Sequence, residues 1–208
     1  VYNYTSCTAL GSTNPATRIA HKALPQFSGP GTSRLLGSNS IEVDASHAAL
    51  PNGIASHIHD SDDTHLDAII HPTGAVASAL LAMMQTMDRP VSGEEFVTAL
   101  VAGIEAECKV GLAVWPSQHS GLHRRRSLRQ QTPQSRRPQT AHAIGLAATQ
   151  VTGLREMFGS HTKSFHLGRA AQNGLLAAVL AAEGFTSSTS ALEAKRGWAN
   201  VVSSQHQH

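Results

Sequence analysis

The densest group of side chains that can carry out chemistry lies between Asn52 and Gly74 of this 208-residue chain. It contains four histidines and four aspartates: His57, His59, Asp60, Asp62, Asp63, His65, Asp67 and His71. Charged residues make up only 14% of the sequence, so this concentration requires an explanation. Imidazole exchanges protons near neutral pH, and imidazole with carboxylate also ligates zinc, manganese or iron. The segment is therefore a candidate for proton chemistry or for metal binding.

Three interpretations of this segment stay open on spacing alone. A metal site is one, although the spacing is not that of the H-E-x-x-H motif or of a closed zinc site. A polar helix end, at which aspartates cap free backbone N–H groups, is the second. The third is an acid–base pocket, favoured by the cations Lys163 and His166 because a site for an anionic substrate needs positive charge. This third interpretation involves no metal, and spacing alone does not decide among the three.

Lys163 lies in a predicted loop from Gly159 to Phe165, ahead of a predicted helix from Leu167 to Glu183. The segment is not a phosphate loop, because the glycine that should directly precede the lysine is absent. A lysine just before a helix is well placed for a carboxylate or phosphate, since the free backbone N–H groups of the helix start add to its attraction. A solvated surface lysine is an equal alternative.

Helices must position these groups, because the histidine-rich segment is flanked by apolar stretches rich in small residues, Ala45 to Ile58 and Ala75 to Met87. Small side chains let helix backbones approach one another closely. Pro51 lies inside the first stretch and should kink or restart its helix, because proline removes a backbone hydrogen bond. The polar segment is thus predicted to interrupt two buried helices.

Six or seven helices are predicted in all, and there is no strand-turn-strand signal, so the predicted fold class is all-α. The helices cover about residues 16–23, 44–58, 72–87, 92–114, 141–154 and 167–183, with a short one after Ser187. Asp44, Pro72 and Ser92 are residue types that cap or begin helices, and Gly184 is the type that ends one. A short run from Ser33 to Leu36 could be extended.

The concentration of positive charge from Arg124 to Arg137 is not predicted to bind nucleic acid. The net charge of the chain is only +2 with neutral histidine, and no aromatic residues are interleaved with these arginines. The stretch also offers almost no apolar residue for a core. We predict a solvated, disordered, arginine-rich insert over residues 116–139 and a disordered tail over residues 203–208.

The cysteine count limits both the compartment and the kind of site. Cys7 and Cys108 are too few for a disulfide framework, a zinc site or a three-thiolate iron–sulfur cluster. No apolar run approaches the roughly 20 residues of a membrane span, and no basic region followed by an apolar one begins the chain. We expect a protein with reduced thiols in the cytoplasm, with the mitochondrion as the alternative, and no membrane partner.

Several motifs in order resemble conserved blocks of the MmgE/PrpD family. The sequences NGIASH from Asn52, DSDDTH from Asp60 and HPTG from His71 are similar to its first block. The segment from Gly145 through Thr162-Lys163 to Thr186 is similar to its second block. Together these matches cover residues 26 to 115 and 140 to 200 approximately.

The family contains 2-methylcitrate dehydratases, cis-aconitate decarboxylases and an epimerase of small dicarboxylates. The resemblance implies a helical domain over residues 1–202, a cofactor-independent site for a small polycarboxylate and a homodimer. It implies that His71 transfers a proton, that Lys163 holds a carboxylate and that Asp60 joins them as a catalytic residue. The substrate-binding residues it implies are Thr64, His166 and His123.

The sequence departs from the family at three places. The arginine-rich insert replaces a block rich in glycine, aromatic residues and histidine, of which Gly121 to His123 keeps a trace, and this predicts a reading-frame or splicing scar. Helices that precede Val1 in the family, and an α+β lid domain that follows Val202, are expected to be missing. We therefore expect a copy truncated at both ends.

The predicted function is lyase action on a 2-methylcitrate-like or cis-aconitate-like acid, by dehydration or decarboxylation with metal-free acid–base catalysis. An epimerase or isomerase of a small dicarboxylate is one alternative, because it needs the same anion-holding groups. A non-catalytic remnant that serves as a dimerisation or interaction module is the other. The departures from the family leave open whether the chain is an enzyme.

Overall fold

The computed structural model describes residues 1–114, 137–150 and 153–202. Within these ranges the chain forms eight α-helices and one antiparallel pair of short strands. In chain order they are α1 (Tyr2–Gly11), α2 (Pro15–Ala23), β1 (Ser33–Arg34), β2 (Glu42–Val43), α3 (Ala45–His57), α4 (Pro72–Met84), α5 (Gly93–Val114), α6 (Arg137–Ala148), α7 (Thr162–Ala182) and α8 (Trp198–Val202). The predicted mainly helical fold is confirmed.

Helix α3 is the central element, and it contacts α1, α2, α4 and α7. Asp44 begins it by accepting a hydrogen bond from the backbone N–H of His47 at 3.0 Å. From Ala48 to its end at His57 every residue is buried. Such a helix needs no polar face, because neighbouring helices cover it on all sides.

Glycines allow α3 and α7 to cross with their backbones nearly in contact. A Cβ atom on Gly168 of α7 would lie 2.3 Å from the carbonyl oxygen of Leu50, and one on Gly53 would lie 2.6 Å from the Cα of Gly168. Neither distance is compatible with a larger side chain. The close helix packing expected from the small residues is thus present, and it brings the first turn of α7 to the end of α3.

The two strands close one side of the core. The extended run predicted from Ser33 to Leu36 contains β1, but its pairing with β2 was not predicted. Leu35, which follows β1, and Val43 of β2 are the largest apolar side chains in the main core cluster that are almost fully buried. Asn52 of α3, itself fully buried, accepts a hydrogen bond from Leu36 N at 2.8 Å and donates one to Arg34 O at 3.0 Å. The β1–β2 pair is therefore held against α3 by hydrogen bonds to the side chain of Asn52.

The predicted starts of α4 and α5 are confirmed in detail. Pro72 occupies the first turn of α4, where its missing N–H costs nothing. Ser92 and Glu95 form a reciprocal capping box, in which Ser92 Oγ accepts from Glu95 N at 3.1 Å and Glu95 Oε2 accepts from Ser92 N at 2.9 Å. Gly184 follows the end of α7 with a φ of 91°, as expected of a helix C-terminus.

The helices at Pro51 and at Lys163 differ from the predictions. Helix α3 continues through Pro51, so the predicted alternative of a restart is wrong; Pro51 is fully buried, and its packing offsets the missing hydrogen bond. Helix α7 begins at Thr162, so Lys163 lies in its first turn and not in a loop.

Other elements differ from expectation at their ends. Helix α1 has no clear apolar face and was not predicted, although Tyr4 and Cys7 bury it against its neighbours. Helix α6 begins at Arg137, inside the predicted insert, and ends at Ala148. The helix expected after Ser187 is absent from this described segment, which forms turns until α8. The rest of the insert and the predicted tail lie outside the described residues.

The segment of residues 58–71 joins α3 to α4 and carries most of the polar residues noted in the sequence. Its backbone turns sharply at Asp60 and Ile69, which both have positive φ, 56° and 50°. His65 and Ile70 pair as an isolated antiparallel bridge that encloses the turn at Ile69. No helix in the described ranges has the length and apolar character needed to cross a membrane.

Candidate active site

A buried histidine–aspartate contact forms the base of the site. His57 ends α3, and its Nδ1 lies 3.0 Å from each carboxylate oxygen of Asp62. The two side chains are almost fully buried, at 6% and 2% exposure. Burying a carboxylate is costly unless it is paired and hydrogen-bonded, and His57 meets that need.

His71 shares the same carboxylate with His57. His71 precedes α4 directly, and its Nδ1 lies 3.4 Å from Asp62 Oδ1 and 3.3 Å from Thr64 Oγ1. The two imidazole rings are 4.6 Å apart between centroids. Nε2 of His71 points toward Asp60 Oδ1, at 3.8 Å. One ring nitrogen is thus held by the protein, while the other faces the more exposed side of the site.

Lys163 reaches this group from α7. Its Nζ lies 2.5 Å from Asp60 Oδ1 and 5.5 Å from the centre of the Phe158 ring. Asp60 is the most open member, with 55% of its side chain exposed, against 25% for Lys163. The packing of α7 on α3 and α4 therefore joins residues about one hundred positions apart into one site.

The charges within the site stabilise one another. Burial disfavours ionisation of Asp62, but hydrogen bonds from His57 and His71 outweigh it and hold the pKa of Asp62 well below its usual range. The hydrogen bond to Asp62 raises the pKa of His71 against the effect of burial. The hydrogen bond from Lys163 lowers the pKa of Asp60. At neutral pH both carboxylates are ionised, and His71 is protonated more fully than a free histidine.

Four of these residues could also hold a metal ion by geometry. One ligand atom from each of His57, Asp60, Asp62 and His71 can be chosen so that all lie within 4.8 Å of one another. A divalent cation there would have to displace Lys163 from Asp60 and compete with the proton on His71. The arrangement is better suited to holding and moving a proton, and we call these four residues the His–Asp cluster.

A second layer lies behind the His–Asp cluster. Asp63 Oδ2 accepts a hydrogen bond from Thr73 Oγ1 at 2.7 Å, in the first turn of α4. Its Oδ1 is buried without a hydrogen-bond partner among the described residues. Burial, followed by the charge of Asp63, raises the pKa of Glu107 on α5 to about 8, with His71 opposing the shift.

The predicted site residues fall into three groups. His71, Asp60, Lys163 and Thr64 come together as expected. His166 lies one turn beyond Lys163 and beside Gly153, and no described hydrogen bond or ion pair joins it to the His–Asp cluster. His123 lies outside the described residues.

Sequence reasoning missed the central role of Asp62. Asp62 lies four residues after the predicted end of a buried helix and between two other aspartates, Asp60 and Asp63, and spacing alone does not say which of the three is buried. His57, to which no separate role was assigned from the sequence, is also part of the cluster. His59 is exposed, and His65 accepts a hydrogen bond from the backbone of Ala68 at 3.2 Å.

Comparison with known proteins shows the protein family in which this site occurs. The model of the MmgE/PrpD N-terminal domain matches residues 1–128 and 134–208. The chain belongs to the MmgE/PrpD family. The resemblance noted in the sequence is thereby confirmed, and the site lies within the matched domain.

Relatives within the family share about a quarter of their residues with this chain. The cis-aconitate decarboxylase of Aspergillus terreus is 27% identical over 210 residues, which cover 92% of this chain and 42% of that protein. The human cis-aconitate decarboxylase is 28% identical over 212 residues, 91% of this chain and 42% of that protein. A cis-aconitate decarboxylase-like protein of Aspergillus oryzae is 28% identical over 200 residues, which cover 86% of this chain and 40% of that protein. The chain therefore spans about two fifths of the length of these relatives.

Proposed function

We propose that this chain carries a lyase site for a small di- or tricarboxylate and that its reaction is decarboxylation of a cis-aconitate-like acid by acid–base catalysis. The observation that carries the proposal is the meeting of Lys163, Asp60 and His71 in one cluster. The family match and the names of the relatives support the reaction class. A homodimer is the proposed working form.

Lys163 is the proposed anchor for a substrate carboxylate. In the structure its charge is satisfied by Asp60, through the 2.5 Å contact. The side chain of Asp60 is more than half exposed, so it can turn toward solvent and release the lysine to a substrate carboxylate. Lys163 lies in the first turn of α7, where the positive end of the helix dipole adds to the attraction for an anion.

His71 is the proposed proton donor. Its Nδ1 is held by Asp62 and Thr64, and this leaves the proton on Nε2 available to the substrate. In the proposed reaction the bond between a skeletal carbon and a carboxylate carbon breaks and CO₂ leaves. The electron pair stays on the skeleton, spread onto a neighbouring carboxyl group, and then takes the proton from His71. Asp62 stabilises the imidazolium before the transfer.

Dehydration would use the same groups in a different order. There the proton of His71 would go to a leaving hydroxyl group, and a base would remove a proton from the adjacent carbon. We favour decarboxylation because the relatives are named for it. The choice between the two depends on where the substrate carbons lie relative to His71 Nε2.

The proposal is tested first by binding and then by turnover. The melting temperature of the chain is measured with citrate, cis-aconitate and 2-methylcitrate, since a ligand that binds only the folded state stabilises it. A ligand at one hundred times its Kd should raise Tm by about 5 °C. Proton NMR of the reaction mixture then follows loss of cis-aconitate and appearance of the decarboxylated dicarboxylic acid.

Variants assign the roles. His71→Ala and Lys163→Ala should each abolish turnover, and Lys163→Ala should also abolish most of the Tm increase. His59→Ala is the matched control, because His59 is exposed and outside the His–Asp cluster. Absence of any Tm increase, or full turnover in either variant, would refute the proposal. Binding without turnover would favour the non-catalytic alternative.

A further inference from the structure

The side chain of Asn3, on α1, contacts the backbone of the segment that carries most of the His–Asp cluster. Its Nδ2 donates a hydrogen bond to the carbonyl oxygen of Ser61 at 3.2 Å, and its Oδ1 accepts one from the backbone N–H of Asp63 at 3.2 Å. An amide side chain can do both because it has a donor and an acceptor. The two backbone groups lie on either side of Asp62. We call these two hydrogen bonds the Asn3 bridge.

Holding both of these peptide groups restricts the orientation of Asp62. Each peptide unit is planar, so the positions of the two units that flank a Cα atom determine its φ and ψ and the direction of its side chain. The carboxylate of Asp62 must reach Nδ1 of His57, at 3.0 Å from both oxygens, and Nδ1 of His71, at 3.4 Å. The backbone geometry that allows both contacts is therefore tied to a side chain on another helix.

Helix α1 is a firm support for the Asn3 bridge, because it is fixed to both helices that the segment of residues 58–71 joins. The buried hydroxyl group of Tyr4 lies 3.0 Å from Ser78 Oγ of α4. Gly11 packs on α3 so closely that a Cβ atom there would lie 1.9 Å from the carbonyl oxygen of Ala55. A side chain on a fixed helix loses less freedom when it forms a hydrogen bond, so more of the gain is kept.

Hydrogen bonds within the segment do not hold these two peptide groups. The backbone N–H of Asp60 donates to the carbonyl oxygen of His57 at 3.0 Å, and Ser61 Oγ donates to that of His59 at 3.2 Å. Both bonds lie before the buried aspartate in the sequence. Within the described residues, Ser61 O and the N–H of Asp63 have no hydrogen-bond partner besides Asn3. Without the bridge the buried aspartate would be oriented by its side-chain contacts alone.

We propose that Asn3 is a positioning residue, which acts through Asp62 by fixing the two peptide groups that flank it. With Asp62 held in place, His71 keeps its Nδ1 bound and presents Nε2 to the substrate. The effect on turnover rests on the proposed function, whereas the Asn3 bridge does not.

Two variants and one control test the bridge. Asn3→Ala removes both hydrogen bonds, and alanine favours the helix, so α1 should still form. Asn3→Asp keeps an acceptor for the backbone N–H of Asp63 and loses the donor. Thr5→Ala is the matched control, because Thr5 is exposed on the same helix and its side chain donates to Val1 O, away from the site. Circular dichroism checks that each variant is folded.

The first readout is hydrogen exchange at the backbone N–H of Asp63, followed by proton–nitrogen NMR. The exchange should be about fivefold faster in Asn3→Ala than in wild type, as expected for the loss of one hydrogen bond. Asn3→Asp and Thr5→Ala should exchange at about the wild-type rate. Equal rates in Asn3→Ala and wild type, or an Asn3→Asp rate as fast as that of Asn3→Ala, would overturn the bridge.

The second readout is the kinetics of cis-aconitate turnover. Asn3→Ala should lower kcat about tenfold, because the proton donor is less well placed. Its KM should stay within about threefold of wild type, because Lys163 still holds a substrate carboxylate. A merely structural role would lower Tm and leave kcat per folded molecule unchanged. A kcat of Asn3→Ala equal to that of Thr5→Ala would therefore overturn the positioning role.

The two readouts separate failure of this inference from failure of the proposed function. If wild type converts cis-aconitate and Asn3→Ala does so equally well, the positioning role is wrong and the proposed function stands. If wild type neither binds nor converts cis-aconitate, the proposed function is wrong and the positioning role falls with it. The exchange rates at Asp63 need no substrate, so they decide on the Asn3 bridge in either case.

Discussion

The crossing of α3 and α7 and the segment of residues 58–71 lie next to each other, yet different forces hold them. At the crossing, Gly53 and Gly168 let two backbones meet, and the neighbouring contacts are apolar. In the segment, carboxylates and imidazoles satisfy one another around Asp62, and the backbone turns through two residues with positive φ. The helix crossing fixes the positions of Lys163 and His57. The segment of residues 58–71 supplies the charged groups that they contact. Changes to the first should therefore affect folding, and changes to the second should affect protonation.

The largest effect is expected from Gly168→Ala, which breaks the crossing. The new Cβ would lie 2.3 Å from the carbonyl oxygen of Leu50, so the backbones must separate. We expect a loss of about 3 kcal/mol of unfolding free energy, measured by urea denaturation followed by circular dichroism. Gly174→Ala, on the same helix with nothing near its Cβ position, is the control and should be neutral or stabilising by about 0.5 kcal/mol. Equal stability of the two variants would contradict the close crossing.

Asp62→Asn should reduce stability less than Gly168→Ala does, and it should change the protonation of the site more. This change removes a charged acceptor from two histidines and should cost about 2 kcal/mol at neutral pH. The pKa of Asp62 is lowered by folding, so the difference from wild type should be present above its unfolded pKa and shrink as pH falls through the folded value.

The same variant should lower the pKa of His71, measured by proton NMR of its imidazole, because the hydrogen bond to Asp62 is the main cause of its raised value. Asp67→Asn, at an exposed position of the same segment, should change neither quantity. An unchanged pKa of His71 in Asp62→Asn would contradict the bridging role of Asp62.

The two regions also differ in how far the sequence predicts them. Helix starts at Asp44, Pro72 and Ser92 could be predicted because capping is a local interaction, visible within a few residues. We predicted that Asp60, His71 and Lys163 share one site from the resemblance to a family, and not from their spacing.

What the sequence did not predict depends on distant contacts. Asp62 is central because the fold buries it against His57 and His71, and nothing nearby in the sequence distinguishes it from Asp63. Pro51 remains inside a continuous helix because packing against neighbours offsets its cost. The pKa of Glu107 is raised first by burial and then by the charge of Asp63, which is more than forty residues away in the sequence. Burial and partner identity at such positions follow from tertiary packing, and a linear pattern does not contain them.

The most direct test of the proposed site is the pH dependence of cis-aconitate affinity, measured by isothermal titration calorimetry from about pH 7 to about pH 9. If protonated His71 helps to hold the substrate, the affinity should fall above its folded-state pKa, approaching about tenfold for each pH unit. In His71→Asn the affinity should be weaker and its pH dependence should be lost, whereas His59→Asn should behave as wild type. An affinity that stays constant over this range, or an equal slope in His71→Asn, would contradict the account.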